Sequence, residues 1–184
     1  MSDSIKRYIV ILLLLLPGCA PWSLVGGKYG SSDNGYEVEL PGNWRKQNFI
    51  RDNLTLTKDG LALQRVVIGR FTIDNDVPHT KRKLLKAMLP HDVAEVVIDD
   101  FRANQQVSNF QVIENLPVKV AGDPGFKIVY SYQTTENLKK MGAYYGALHK
   151  QWLYFLLYEA PARHYFARDQ QTFEKIKESF KFTE

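Results

Sequence analysis

The sequence predicts an α+β fold with a largely antiparallel sheet packed by helices. Runs of alternating apolar and polar residues, bounded by Gly and Pro, indicate strands, and two stretches with helical apolar spacing lie among them. The hydrophobic fraction of 45% in 184 residues is enough for the core of one domain. Cys19 is the only cysteine, so the fold must be stable without an internal disulfide.

The first half of the domain begins with short strands. Residues 36–40 (YEVEL) alternate with period two, and Pro41-Gly42 ends the pattern. Residues 54–58 alternate again, and Asp59-Gly60 predicts a hairpin turn into a longer strand over residues 61–71.

The second half predicts further strands. Residues 110–120 are strand-like around Pro117, which indicates two short pieces or a bulged edge strand. Residues 125–134 follow as a strand. Residues 143–148 and 151–159 predict the arms of a hairpin around His149-Lys150. Because residues 151–159 (QWLYFLLYE) are apolar on both faces, they indicate an inner strand covered on both sides.

Helical spacing marks two amphipathic segments. Val93, Val97 and Phe101 share one helical face after Pro90, with Asp92 as the expected N-cap. A shorter basic helix is expected before it, over residues 80–89. The carboxyl-terminal helix has Asp169 near its start and a stripe formed by Phe173, Ile176 and Phe180.

The amino terminus is typical of a targeting segment. Lys6 and Arg7 precede an apolar run of nine residues at positions 8–16, which Pro17-Gly18 ends. A membrane-spanning helix needs about 20 apolar residues, whereas a signal-peptide core needs about 7–15. A buried core helix is the alternative, although it would be apolar on every side and would end abruptly at Pro-Gly.

Leu16-Pro17-Gly18-Cys19 resembles the bacterial lipobox, from which it departs at Pro17. The resemblance implies cleavage before Cys19 and attachment of lipid, including acyl groups such as palmitate, to this residue. Ordinary secretion is the alternative. On this interpretation residues 1–18 are a signal peptide, residues 19–35 are an acylated cysteine and a Gly- and Ser-rich flexible tether, and residues 36–184 are one domain. The protein would face the periplasm, and Ala20 favours the outer membrane over the inner.

The domain resembles the Mog1/PsbP-like fold, an α/β/α sandwich. The residues that carry the resemblance are Pro41-Gly42-Asn43-Trp44 at a strand end, the central amphipathic helix, the late aromatic hairpin and the terminal Phe173-x-x-Ile176-x-x-x-Phe180 helix. The resemblance covers residues 36–184 and implies a binding or assembly factor. No partner-binding residue of that group has a matching motif here.

The residues indicate no reaction. The four histidines, His79, His91, His149 and His164, lack metal-ligand spacing, and Asp74 and Asp76 are typical of a polar turn. No serine-nucleophile or phosphate-binding motif is present. We therefore expect no enzyme, no cofactor and no metal site. A net charge of +4 without a concentrated basic face argues against nucleic acid as a partner.

Two groups of residues are candidates for binding. Lys81, Arg82, Lys83 and Lys86 form a basic cluster whose default interpretation is a solvated helix face, and whose alternative is contact with anionic lipid or an acidic partner. The second group is formed by the aromatic residues of the hairpin, Tyr144, Tyr145, Trp152, Tyr154 and Tyr158. We expect these side chains in the core, and the alternative is a groove that binds a partner or an apolar ligand.

Two hypotheses of function follow. The first is a non-catalytic, membrane-anchored module that binds or assembles an envelope protein. The second is a periplasmic carrier that holds a lipid or another apolar ligand between the aromatic hairpin and a helix. Closely packed side chains would favour the first, and an enclosed apolar cavity of several hundred cubic ångströms would favour the second.

Overall fold

An antiparallel sheet forms the middle layer of the protein in a computed structural model that describes residues 20–50 and 52–183. Residues 1–18, predicted to be a signal peptide, and Cys19 lie outside the described residues. Within the described ranges the sheet has nine strands, in the spatial order β1-β2-β3-β4-β8-β7-β6-β5, with β9 beside β2. The strands are β1 (Trp22–Ser31), β2 (Tyr36–Gln47), β3 (Asn53–Thr57), β4 (Arg65–Thr72), β5 (Ser108–Val120), β6 (Asp123–Gln133), β7 (Lys139–His149), β8 (Trp152–Pro161) and β9 (Lys181–Phe182).

Two helices cover opposite faces of this sheet. Helix α1 (Pro90–Ala103) packs a stripe of valines and Ile98 onto β5, β6 and β7. Helix α2 (Tyr165–Ser179) packs Phe166, Phe173 and Ile176 onto β2, β7 and β8. The predicted α+β class and the α/β/α layering are confirmed. No helix in the described part is long and apolar enough to cross a membrane.

Strand β8 separates the two cores. Tyr154, Leu156 and Tyr158 point into the core under α2, whereas Leu153 and Leu157 point into the core under α1. Side chains alternate between the two faces of a strand, so a strand that is apolar at nearly every position must be covered twice. The prediction of an inner strand is confirmed.

The amino-terminal part of the described chain differs from the prediction. The flexible tether expected over residues 19–35 is wrong for Trp22–Ser31, which form β1 and pair with β2 from Trp22↔Gln47 to Ser31↔Tyr36. The register shifts between Val25 and Gly27, and the positive φ of 76° at Gly27 permits this irregularity. Backbone hydrogen bonds to β2 hold this strand, and Val25 and Tyr29 pack against the core under α2.

Two element boundaries also differ. Asp59-Gly60 does not form a tight hairpin, because residues 58–64 are a loop and the next strand begins at Arg65. Helix α1 begins at Pro90 with Leu89 as N-cap, and Asp92 lies inside the helix, where its carboxylate accepts a hydrogen bond from the Leu89 N–H at 3.2 Å. Asp169 lies in the second turn of α2, near its start as predicted, and is buried.

The basic helix expected over residues 80–89 is not formed. The backbone of this stretch turns back on itself, with an isolated antiparallel bridge between Asp76 and Lys83 and no helical residue before Pro90. The proline explains the end of the stretch, because a residue that precedes proline is disfavoured in the helical conformation. Strand β5 is continuous through Pro117 and carries two bulges, so the bulged-edge alternative is confirmed.

Candidate functional site

The most exposed apolar and cationic surface near α1 is the loop over residues 81–89, which we call the basic segment. The Val77 N–H donates to the Arg82 carbonyl at 2.8 Å. Immediately before the segment, the Asp100 carboxylate of α1 accepts hydrogen bonds from the backbone N–H groups of His79 at 2.8 Å and Thr80 at 2.9 Å. Leu84 is buried between these contacts. The basic segment is therefore an ordered loop fixed to α1.

The outward side of the basic segment combines charge with apolar surface. Lys81, Lys83 and Lys86 are exposed, and Leu85 and Leu89 expose 60% and 58% of their surface. Arg82 is the member of the predicted cluster that is paired, with its guanidinium 2.8 Å from the Asp99 carboxylate. The structure thus brings the four predicted basic residues onto one loop, with three lysines directed to solvent beside two exposed leucines.

An apolar groove adjoins the basic segment. It has a volume of about 260 Å³ and lies between the segment, the start of α1 and the ends of β6 and β7. Its lining includes Lys86, Met88, Leu89, Val93, Phe126 and Leu148. Lys86 is the one charged residue in this lining. Apolar groups at the centre and charge at the edge are typical of protein-binding surfaces.

The five hairpin aromatics do not form one groove. Tyr144 and Tyr145 are consecutive in β7, so Tyr144 points into the core under α1 and Tyr145 into the core under α2. Tyr154 and Tyr158 are buried in the α2 core, where the Tyr158 hydroxyl donates to the Tyr165 carbonyl at 2.9 Å. Trp152 is half-buried under the Arg70 guanidinium, 4.0 Å from its ring centroid.

A row of polar side chains crosses four strands of the sheet and was not predicted from the sequence. Arg65, Glu159, Gly142 and Tyr130 are successive cross-strand neighbours on the α1 face. The buried Glu159 carboxylate accepts hydrogen bonds from the Tyr130 hydroxyl at 2.8 Å and from Arg65 Nε at 2.7 Å. Burial, and then the charge of Glu159, raise the pKa of Tyr130 well above its ordinary value. Each of the two carboxylate oxygens therefore has a hydrogen-bond donor, one from Tyr130 and one from Arg65.

Arg65 and Glu159 also lie at the bottom of a polar pocket of about 300 Å³ beside the end of α1, with Tyr132, Thr134 and Glu136 on its wall. Burial, and then the charge of Glu159, raise the pKa of Tyr132. The one feature of the sequence that could have indicated this pocket is the glutamate that ends the apolar run QWLYFLLYE. Among the described residues no group of three or more His, Cys, Asp or Glu side chains is placed to bind a metal ion.

Comparison with known proteins shows the fold. Neither a protein-family model nor a curated protein sequence matches the chain. Cyanobacterial PsbP (CyanoP) from Synechocystis superposes with a TM-score of 0.59 at 14% identity, over 90% of this chain and 95% of that one. The Ran-binding protein Mog1p of Saccharomyces cerevisiae does so with 0.59 at 5%, over 88% and 97%.

LpqN of Mycobacterium tuberculosis, which is involved in cell envelope biogenesis, superposes with a TM-score of 0.54 at 13% identity, over 89% of this chain and 92% of that one. At these identities the similarity demonstrates a shared fold alone. The predicted Mog1/PsbP-like fold is confirmed.

Proposed function

We propose that this chain is a non-catalytic binding module of the bacterial cell envelope, anchored through lipid on Cys19 and facing the periplasm. The anchor is inferred from the Leu16-Pro17-Gly18-Cys19 lipobox, and Ala20 favours the outer membrane. Proteins of the same fold support a binding role, since one is a Ran-binding protein and another is involved in cell envelope biogenesis.

The observation that carries the proposal is the position of the basic segment relative to the anchor. Trp22, Thr57 and Arg65 lie at one end of the sheet, because β1, β2, β3 and β4 are paired in antiparallel register. The basic segment follows Thr72, at the other end of β4. With about 3.3 Å per residue, the eight residues of β4 separate the two ends by about 23 Å. A chain anchored at Cys19 therefore presents the basic segment away from the membrane.

The exposed side chains define the partner. Three lysines favour an acidic surface, and the exposed leucines and the apolar groove favour apolar side chains between the acidic ones. Complementary charges at the rim increase the association rate and the selectivity, and burial of the leucines adds hydrophobic free energy of binding. We infer an envelope protein with an acidic, leucine- or phenylalanine-containing segment.

Pull-down from crosslinked envelopes tests the partner surface. The Lys83→Glu/Lys86→Glu variant is compared with Lys139→Glu/Lys175→Glu, which makes the same charge change at exposed positions elsewhere. We expect the first variant to capture about tenfold less of the partner and the control to match the wild type, because each reversed rim charge costs about 0.5–1 kcal/mol. Equal capture by both variants contradicts the proposal.

The anchor has its own test. Cys19→Ala is expected to abolish incorporation of labelled palmitate and to leave the precursor uncleaved. Undiminished labelling would show that the lipid is not attached at this residue.

One observation favours the second candidate function, a carrier of an apolar ligand. A mainly apolar pocket of about 300 Å³ lies between β4, β8 and α1, lined by Phe71, Val97, Phe101, Leu153 and Phe155. This volume is at the lower limit of pockets that hold small molecules. Native mass spectrometry of the purified protein distinguishes the candidates, since a co-purifying ligand of constant mass supports the carrier and a ligand-free mass supports the binding module.

A further inference from the structure

The start of β1 fixes the distance between the domain and its lipid anchor. Asn48 holds the two residues that follow Cys19, because its side-chain amide donates to the Ala20 carbonyl at 2.9 Å and its backbone N–H donates to the Pro21 carbonyl at 3.0 Å. β1 begins at the next residue, Trp22. Three residues span at most about 11 Å. This inference rests on the proposed acylation of Cys19, which would hold this end of the sheet at the bilayer surface.

Exposed apolar side chains surround this end of the sheet. Leu24 exposes 71% of its surface and Phe49 exposes 64%. Phe49 directly follows Asn48, which contacts Ala20 and Pro21, so it lies next to the anchor. Leu61, which is 37% exposed, lines one depression of about 500 Å³ together with Trp22. These four residues are the apolar part of what we call the anchor-proximal patch.

Two cations complete the anchor-proximal patch. Arg45 is the cross-strand partner of Leu24, and Arg45 and Lys58 line the same depression as Trp22 and Leu61. The acidic residue of this depression, Asp59, is engaged by the Arg168 guanidinium and by the Gln64 amide. Lys58 lies 3.5 Å from the Asp169 carboxylate, which Arg168 also engages, and 40% of the Lys58 side chain stays exposed. The local charge is positive, because the three cations Arg45, Lys58 and Arg168 outnumber the carboxylates of Asp59 and Asp169.

Neither helix of the described part of the chain covers this surface. Val25 points into the α2 core, so its neighbour Leu24 points to the opposite face of the sheet. On that face α1 packs against β5, β6 and β7, at the other side of the sheet. Apolar groups beside cations, at the end of the chain that carries the lipid, match the headgroup zone of a bilayer, where Trp, Phe and Leu enter the interface and Arg and Lys contact anionic headgroups.

We propose that the anchor-proximal patch lies in the interface of the bilayer that holds Cys19, with Trp22, Leu24, Phe49 and Leu61 among the headgroups and Arg45 and Lys58 on anionic lipid. Attachment by a short connection makes this contact effectively intramolecular, so a weak surface affinity is sufficient to orient the domain.

A site-specific fluorescent label tests the orientation. Cys19 is the only cysteine, and acylation blocks its thiol, so Phe49→Cys introduces one reactive site in the mature acylated protein. Leu85→Cys is the matched control, since Leu85 is an equally exposed leucine on the basic segment. Both labelled proteins are reconstituted in phosphatidylcholine vesicles that contain phosphatidylglycerol and a lipid-borne nitroxide quencher.

We expect quenching at position 49 to exceed quenching at position 85 by about threefold or more, because interfacial groups lie about 5–10 Å into the boundary region. Arg45→Glu/Lys58→Glu is expected to reduce the difference. Equal quenching in a protein whose mass shows the lipid overturns the patch and leaves the proposed anchor intact. A concentration-dependent change at position 49 without vesicles indicates contact with a second copy and also overturns it.

A chain without the anchor separates the two proposals. The Cys19→Ser/Phe49→Cys chain is made without residues 1–18, because an uncleaved precursor would bind vesicles through its apolar run. A blue shift on addition of phosphatidylglycerol vesicles that Arg45→Glu/Lys58→Glu removes supports the patch even if Cys19 carries no lipid. No shift in this chain, together with no excess quenching in the acylated one, overturns it.

Discussion

Raising the pH above 10 should unfold this domain cooperatively, because many of its buried side chains are tyrosines that keep their protons only in the folded state. Burial raises the pKa of six buried tyrosines, and nearby carboxylates raise it further for some of them, as Glu174 does for Tyr145. The six are Tyr36, Tyr130, Tyr132, Tyr144, Tyr145 and Tyr158.

The size of the effect follows from the shift between the unfolded and the folded protein. An unfolded tyrosine has a pKa of about 10. Each raised pKa therefore contributes stability that is fully present below pH 10 and is lost as the pH rises towards the folded value. At pH 11 each tyrosine loses about 1.4 kcal/mol, and six lose about 8 kcal/mol, which is comparable to the whole free energy of unfolding of a typical domain, about 5–15 kcal/mol.

The assay measures tyrosine ionisation and folding together. Absorbance at 295 nm and far-ultraviolet circular dichroism are recorded between pH 8 and 12, and urea titrations give the free energy of unfolding at each pH. We expect the buried tyrosines to ionise only as the secondary structure is lost. Ionisation of all tyrosines near pH 10 with an unchanged dichroism spectrum would refute the reasoning.

A single substitution isolates one tyrosine. Tyr144 stacks between Phe126 and Phe155, each with its ring centroid 5.8 Å away, so Tyr144→Phe keeps the ring and removes the proton. Above pH 10 the free energy of unfolding should then fall less steeply, by about 1.4 kcal/mol per pH unit. Phe155→Leu is the control, because it removes aromatic packing and no ionisable group. It should lower stability by a similar amount at every pH and leave the slope unchanged.

Two substitutions test the polar contacts by chemical denaturation. Gly142→Ala places a Cβ 2.3 Å from the Tyr130 ring. We expect the free energy of unfolding to fall by about 2–3 kcal/mol, because the ring must move away from its hydrogen-bonded carboxylate. Gly30→Ala is the control, since its Cβ would have no atom within 4 Å, and equal losses in the two variants would contradict the explanation. Asp169→Ala removes the buried acceptor of the Gln64 amide, 3.3 Å away, together with its ion pairs, and should cost about 2–3 kcal/mol. A loss below about 0.5 kcal/mol would show that this carboxylate is not a stabilising contact.

The elements that could be predicted from the sequence are those in which the order of apolar and polar side chains shows which faces are buried. Residues 151–159 are apolar at nearly every position, and this pattern fits a strand between two cores, as β8 is. The valine stripe of α1 has helical spacing and packs as predicted, although the helix begins at Pro90, two residues before the expected cap. Such patterns are local, so no knowledge of neighbouring strands was needed.

β1 was missed because its stability comes from a partner strand. The composition of this stretch, which includes Gly26, Gly27 and Gly30, is typical of a flexible linker. An edge strand, however, can form with any composition that allows backbone hydrogen bonds to the one strand beside it. Tyr29 supplies the packing, since its ring lies against the α2 core. Composition cannot show that β2 offers an unpaired edge, and this information belongs to the folded sheet.

The polar row was invisible for a related reason. Glu159 and Arg65 are 94 residues apart, and only the register of β4, β8, β7 and β6 places Tyr130 over Gly142 and within reach of the carboxylate. The basic segment was located by its charges, but the helix predicted over residues 80–89 is not formed. Leu84 alone is buried, which is what an ordered loop can accommodate.

The replacement of a tether by β1 changes how the protein would work. A flexible tether of 16 residues would let the domain rotate freely, so any surface could meet either the membrane or a partner. Asn48 holds Ala20 and Pro21. The proposed lipid on Cys19 would therefore bring one end of the sheet to the bilayer and would direct the other end, with the basic segment, into the periplasm. Under the proposed anchor, the edge strand therefore determines which surface is available for binding.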